Sequence, residues 1–187
     1  YELMEAFAKA QGWTTKYKIL DSTEEVLAEV SKGDVHIGAS SLTITDQRKE
    51  QMNFSTSYHT VQQKVVCGKP KTIKNKEQLK KLNIVVVAGT SHEELMNRLS
   101  SSNNEVNYEI QEISPEDLLK KIWEDRSLCT IIDSHLLNIH RRYFPELSVV
   151  YTIDKPSLLA WAVPKQHEET LFAVNNWING DGANELE

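Results

Sequence analysis

The 187 residues hold two cysteines, Cys67 and Cys129, and neither belongs to a CxxC pair. Zinc-ribbon and thioredoxin-like motifs are thereby excluded. Both cysteines stand in apolar, strand-like runs, which makes buried free thiols the plainer expectation; a mutual disulfide stays open, because an export compartment permits one. The six histidines (His36, His59, His92, His135, His140, His167) fall without i,i+4 pairing, so neither a metal site nor another cofactor is expected. No apolar run approaches the roughly 20 residues that a spanning helix needs. No signal-peptide pattern opens the chain, which begins on Tyr1-Glu2-Leu3-Met4, already inside a helical pattern; the expectation is a piece cut from a longer protein. Basic residues are too few for a nucleic-acid surface: Lys and Arg number 21 against 27 acids, the formal net charge is −6, and no basic stripe occurs.

What is present is an ordinary globular composition, 40% hydrophobic and 26% charged, with length enough for one sizeable core or two small lobes. A monomer is expected. Leu3, Met4, Phe7 and Ala10 repeat at helical spacing and stop at Gly12. Lys16 to Leu20 alternates as a strand, and Ser22-Thr23-Glu24-Glu25 is a capping-box start for a helix that Gly33 ends. Asp34 to Ala39 then reads as a buried strand. Later come a strand over 61–67, a short amphipathic helix over 75–82, and Ile84-Val85-Val86-Val87, a strand covered on both faces. A helix follows Gly89-Thr90-Ser91, a loop spans 100–104, and Ser114-Pro115 opens another helix. Strands over 128–132, 147–151 and 158–163 and a last helix over 170–178 complete the chain. This alternation predicts doubly wound α/β lobes, in which ligands lie beyond the C-terminal ends of strands.

Three strand ends carry polar groups. The first is the most informative. After Val35-His36-Ile37-Gly38-Ala39 come the hydroxyls Ser40, Ser41, Thr43 and Thr45, then Asp46-Gln47-Arg48. Thr45 or Asp46 can cap a short helix there, and Arg48 offers a planar fork suited to a carboxylate. The second is Gly89-Thr90-Ser91, where unpaired amides and a helix dipole favour an anion. The third is Asp133, which by position alone reads first as the N-cap before Ser134.

Ser41-Leu42-Thr43-Ile44-Thr45-Asp46-Gln47-Arg48, followed by Asn53-Phe54-Ser55 and Ser57-Tyr58, resembles the G-x-T-x-T-x-x-R … F-S-x-P-Y signature of bacterial extracellular solute-binding proteins, family 3. Ser41 stands for the usual Gly and Ser57 for the usual Pro. Gln62-Gln63-Lys64-Val65-Val66, Thr130-Ile131-Ile132-Asp133-Ser134, Arg142 to Leu147 and Leu159 to Pro164 are similar to the N-terminal module of membrane-bound lytic murein transglycosylases of the F type. The resemblance runs from Tyr1 to about Asp181.

It implies a two-lobed, periplasmic-binding-protein-like (type II) α/β fold, each lobe a mainly parallel sheet flanked by helices. Lobe 1 would take residues 1–66 and 155–187, lobe 2 residues 67–154, with hinge strands near Val65–Gly68 and Tyr151–Leu158. It also implies a small-molecule ligand in the cleft, an amino acid or a cell-wall peptide. Thr43 and Arg48, beside Ser41, would grip its carboxylate with help from Thr90 and Ser91, and Asp133 would take its ammonium. The family's first strand and the lysozyme-like domain of the transglycosylases have no counterpart in these residues. The expectation is therefore a non-catalytic sensor module, covalently linked in its parent to a transglycosylase domain, at a periplasmic or outer-membrane location. Three alternatives stay open: a free receptor of an amino-acid importer, an enzyme using Glu93 or Glu94, and the sensor lobe of a receptor kinase, against which the murein-enzyme match weighs.

Overall fold

A computed structural model describes residues 1–101, 106–180 and 182. Residues 102–104 of the expected loop lie outside these. In chain order the elements begin with α1 (Glu2–Gln11), α2 (Thr23–Lys32), β1 (Gly38–Thr43), α3 (Asp46–Lys49), β2 (Met52–Phe54) and β3 (His59–Val61). There follow β4 (Gln63–Cys67), a 3-10 turn (Lys76–Lys81), β5 (Asn83–Val87), α4 (Ser91–Leu99), β6 (Tyr108–Gln111) and α5 (Pro115–Glu124). The last are β7 (Leu128–Asp133), α6 (Ser134–His140), β8 (Ser148–Thr152), β9 (Ser157–Pro164) and α7 (Glu168–Asn179). The chain forms two compact units, Tyr1–Thr60 with Leu158–Glu187, and Val61–Ser157.

In the first unit, Gly12 at φ 67 and Gly33 at φ 83 end α1 and α2 in the left-handed conformation that glycine adopts without steric cost. Ser22 and Glu25 form the anticipated reciprocal cap: the Ser22 hydroxyl accepts the Glu25 amide, and the Glu25 carboxylate accepts the Asp21 amide. β9 is the central strand, with β1 and β2 antiparallel on either side and β3 also paired to it. Successive β9 side chains point to opposite faces. Trp161 packs with Phe7, Val174, Trp177 and Ile178, whereas Ala162 packs with Val30, Leu42 and Met52.

The second unit is a five-stranded sheet in the order β6-β5-β7-β4-β8. β5 runs parallel to β6 and β7, while β4 is antiparallel to β7 and β8. Ile84 and Val86 of β5 belong to one apolar cluster and Val85 to the other, so the four-residue apolar run is covered on both faces.

Several expectations are corrected. The two-lobed α/β fold stands, but the sheets are not mainly parallel: β6-β5-β7 pair parallel, whereas β4 pairs antiparallel with β7 and β8. In the first sheet β1 and β2 pair antiparallel with β9, which returns from the far end of the chain to serve as its central strand. Lys16–Leu20 forms no strand; an alternating pattern becomes a strand only beside a partner, and Ile19 is instead 91% exposed. The strand expected over 34–39 sits four residues later, as β1. Residues 76–81 make a 3-10 turn rather than an amphipathic α-helix. β4 pairs along its length with β7 and belongs wholly to the second unit, which begins at Val61, ahead of the expected 66/67 limit.

Cys67 and Cys129 are not free thiols. They stand directly opposite each other in the β4–β7 register, with Cα atoms 4.0 Å apart, and are joined by a disulfide. Strand register decides this, and two separate apolar runs carry no mark of their mutual register.

Candidate functional site

In the first unit the polar end of β1 is shaped by bonds between near neighbours. Thr45 has the extended backbone of an N-cap, and its hydroxyl accepts the Arg48 amide at 3.2 Å, which starts the one-turn α3. That turn swings Arg48 back over the strand it left. Its Nη1 donates to the Thr43 carbonyl at 3.1 Å, and the residue is only 5% exposed. Thr43 is buried beside it. A buried guanidinium needs acceptors.

Ser41 is the one described non-glycine residue with positive φ, at 49°. It lies where the β1–β9 register shifts between Gly38 and Leu42, a bulge that tips the hydroxyl-bearing segment out of the ladder. The position where the resembled signature has glycine is thus one where the backbone asks for it. Burial pushes the Tyr58 phenol up, and a side-chain hydrogen bond from Ser41 acts in the opposite direction. Ser41 itself is exposed.

In the second unit Thr90 is the N-cap of α4. Its hydroxyl donates to the Val87 carbonyl at 2.7 Å and accepts the Glu93 amide at 3.4 Å. Gly89, at φ 70, donates its amide to the Glu93 carboxylate at 2.7 Å. One amide of the expected anion corner is therefore occupied by the chain's own carboxylate, and Glu93 acts as a capping acid. Ser91 is buried at the first helical position.

Asp133 occupies the N-cap position of α6 but makes no side-chain cap bond. The helix amide that such a cap would precede, Ser134 N–H, goes to the Gln62 carbonyl at 2.8 Å, and the Ser134 hydroxyl accepts the Gln62 amide at 3.2 Å. The Asp133 carboxylate faces His92 of α4, Oδ1 to Nε2 at 3.2 Å, with side chains 7% and 12% exposed. Capping is thus set aside for Asp133, whose carboxylate is turned to His92 instead.

The residues singled out from sequence fall three to each unit: Ser41, Thr43 and Arg48 in the first, Thr90, Ser91 and Asp133 in the second. Within the second, His92 connects the start of α4 to Asp133. Sequence reading passed over His92, having looked for histidines at i,i+4; its place directly after Gly-Thr-Ser was the signal available. Among the described residues no group of three or more His, Cys, Asp or Glu is arranged to hold a metal, and no helix is long and apolar enough to cross a membrane.

Comparison with known proteins bears on both fold and site. Membrane-bound lytic murein transglycosylase F 2 of Alkalilimnicola ehrlichii is 28% identical over 186 residues, covering 98% of this chain and 41% of the relative. Its counterpart in Pseudoalteromonas translucida is 30% identical over 177 residues, covering 93% and 37%. The chain thus spans about two fifths of the curated relatives it matches. Among solved structures, an ancestral arginine-binding protein bound to arginine superposes with TM-score 0.82 at 20% identity, over 99% of this chain and 84% of that one. An arginine-, lysine-, histidine-binding protein from Geobacillus stearothermophilus gives 0.81 at 23% identity, over 99% and 81%. These likenesses establish the type II binding-protein fold. The family description that matches residues 1–182 covers the arginine turn, the Thr90 cap and Asp133 alike, and the chain belongs to the bacterial extracellular solute-binding proteins, family 3.

Proposed function

We propose that this chain is a non-catalytic module that binds an amino acid or a cell-wall-derived peptide, acting as the sensing part of a lytic murein transglycosylase on the periplasmic side of the envelope. The ligand carboxylate is taken by Arg48 with Thr43 and Ser41, and by the Thr90–Ser91 corner; its ammonium is taken by Asp133. The observation that carries the reading is the Asp133 carboxylate, buried, released from capping its own helix and held by a histidine. A buried carboxylate is costly to leave without a counter-charge, and an incoming ammonium supplies one. Arg48 supplies the complementary charge, and each charged hydrogen bond is worth about 1.5–3 kcal/mol. The transglycosylase partner is supported by the relatives' names and by the length they have beyond this chain.

Thermal shift of wild type and Arg48→Ala against the L-amino acids and murein stem peptides tests it. A native-state ligand at a hundredfold excess over Kd stabilises by about 2.7 kcal/mol. Wild type is expected to shift with at least one compound and Arg48→Ala with none. A shift that survives intact in Arg48→Ala would remove Arg48 from the site, and silence of wild type toward the whole panel would sink the ligand class.

A further inference from the structure

We propose that His92 is a positioning and specificity-determining residue, which aims the Asp133 carboxylate so that the second unit selects ligands bearing an ammonium group. This rests on the ligand reading above. Carboxylates at helix N-caps ordinarily turn back to the first-turn amides, and that is the low-energy rotamer open to Asp133. In this chain Asp133 makes no cap bond, and His92 bonds Oδ1 from a separate helix, 41 positions away in the chain. With Oδ1 held, Oδ2 is the oxygen left to meet an ammonium.

The placement of His92 reinforces this. It follows Thr90 and Ser91 on α4, so a single helix start carries both the candidate carboxylate corner and the group that orients the ammonium acceptor. The distance between those two functions is thereby set by helix geometry. Glu93 of the same turn is held by the Gly89 amide. An imidazole Nε2–H is also directional: it donates along one line and cannot swing over the carboxylate as a lysine ammonium does. Fixing the acceptor in advance avoids ordering it during binding. A ligand lacking the ammonium gains nothing from an aimed Asp133. The arrangement therefore acts on selectivity between amino acids and their des-amino analogues.

Titration calorimetry of the 187-residue chain with the L-amino acids and their 2-des-amino acids reads this. His92→Ala is expected to weaken an amino acid about tenfold and to leave its des-amino analogue unchanged. His92→Gln, whose side-chain amide also donates one directional N–H, is expected to recover most of the loss. In an Asp133→Asn background, His92→Ala is expected to have no further effect. Equal weakening of both ligand types, no weakening at all, or no recovery by Gln overturns the proposal. If no amino acid binds wild type, the ligand reading fails by itself, and Asp133 still decides the positioning claim. Its χ1 couplings and carboxyl carbon shift must change in His92→Ala while backbone amide spectra keep the fold; an unmoved Asp133 overturns it.

Discussion

Arg48 is held by partners three and five residues away, Thr45 and Thr43, within one strand-to-turn reversal. Asp133 is held by His92, 41 residues earlier, and its helix is anchored by Gln62, 72 residues from Ser134. Both charges are equally buried, at 5% exposure. The first unit thus folds its buried cation back through bonds made within one reversal of the chain. The second carries its buried anion on tertiary contacts that exist only once the sheet has assembled. A local motif is robust to changes elsewhere in its unit; a tertiary one inherits the stability of the whole sheet.

The largest way to sharpen that contrast is the disulfide. It closes 62 residues of the second unit by linking β4 to β7, the two strands whose register sets Gln63 opposite Asp133. Replacing both cysteines by serine is expected to cost about 3 kcal/mol of stability. The loss should appear as weaker hydrogen-exchange protection of β4 and β7 amides, with β1 amides little changed. Equal loss in both units would show that the two do not differ in this way.

Thr45→Ala comes next. It removes the cap that starts α3, at a cost of about 1 kcal/mol in chemical denaturation. Because Arg48 depends on that turn, the variant is expected to weaken carboxylate ligands more than its stability loss alone explains. Unchanged affinity would mean that Arg48 keeps its place without the cap.

The smallest effect, of opposite sign, belongs to Ser41. A serine at φ 49 is strained by roughly 1 kcal/mol, which Ser41→Gly relieves, less the cost of glycine's extra freedom in the unfolded chain and of the bond lost to Tyr58. A net rise of a few tenths of a kcal/mol in urea unfolding is expected. A clear fall would mean that the Ser41–Tyr58 bond outweighs the strain.

The contrast between the units also explains which parts of the site were legible in advance. Hydroxyls at short spacing before an arginine are visible in a string of letters, and so are Gly12, Gly33 and the Ser22–Glu25 cap, because their chemistry closes within five residues. Asp133 was visible as a residue but ambiguous as a role. Position alone favours a cap; only the contact with His92 of α4 shows the carboxylate turned away from its own helix. His92 had no partner that its neighbours in sequence reveal.

By itself, the sequence of this family 3 solute-binding chain determined where α1 and α2 stop, where α2 and α5 start, which strand is covered on both faces, and that a hydroxyl-rich strand end leads into a short capped turn bearing Arg48. Each of these follows from interactions within a turn or from a hydrophobic period. The tertiary structure alone decided that Lys16–Leu20 stays unpaired, that β9 lies between β1 and β2, that Cys67 meets Cys129, and that Asp133 faces His92. Those outcomes depend on strand order and register, where a shift of one residue turns every side chain to the other face.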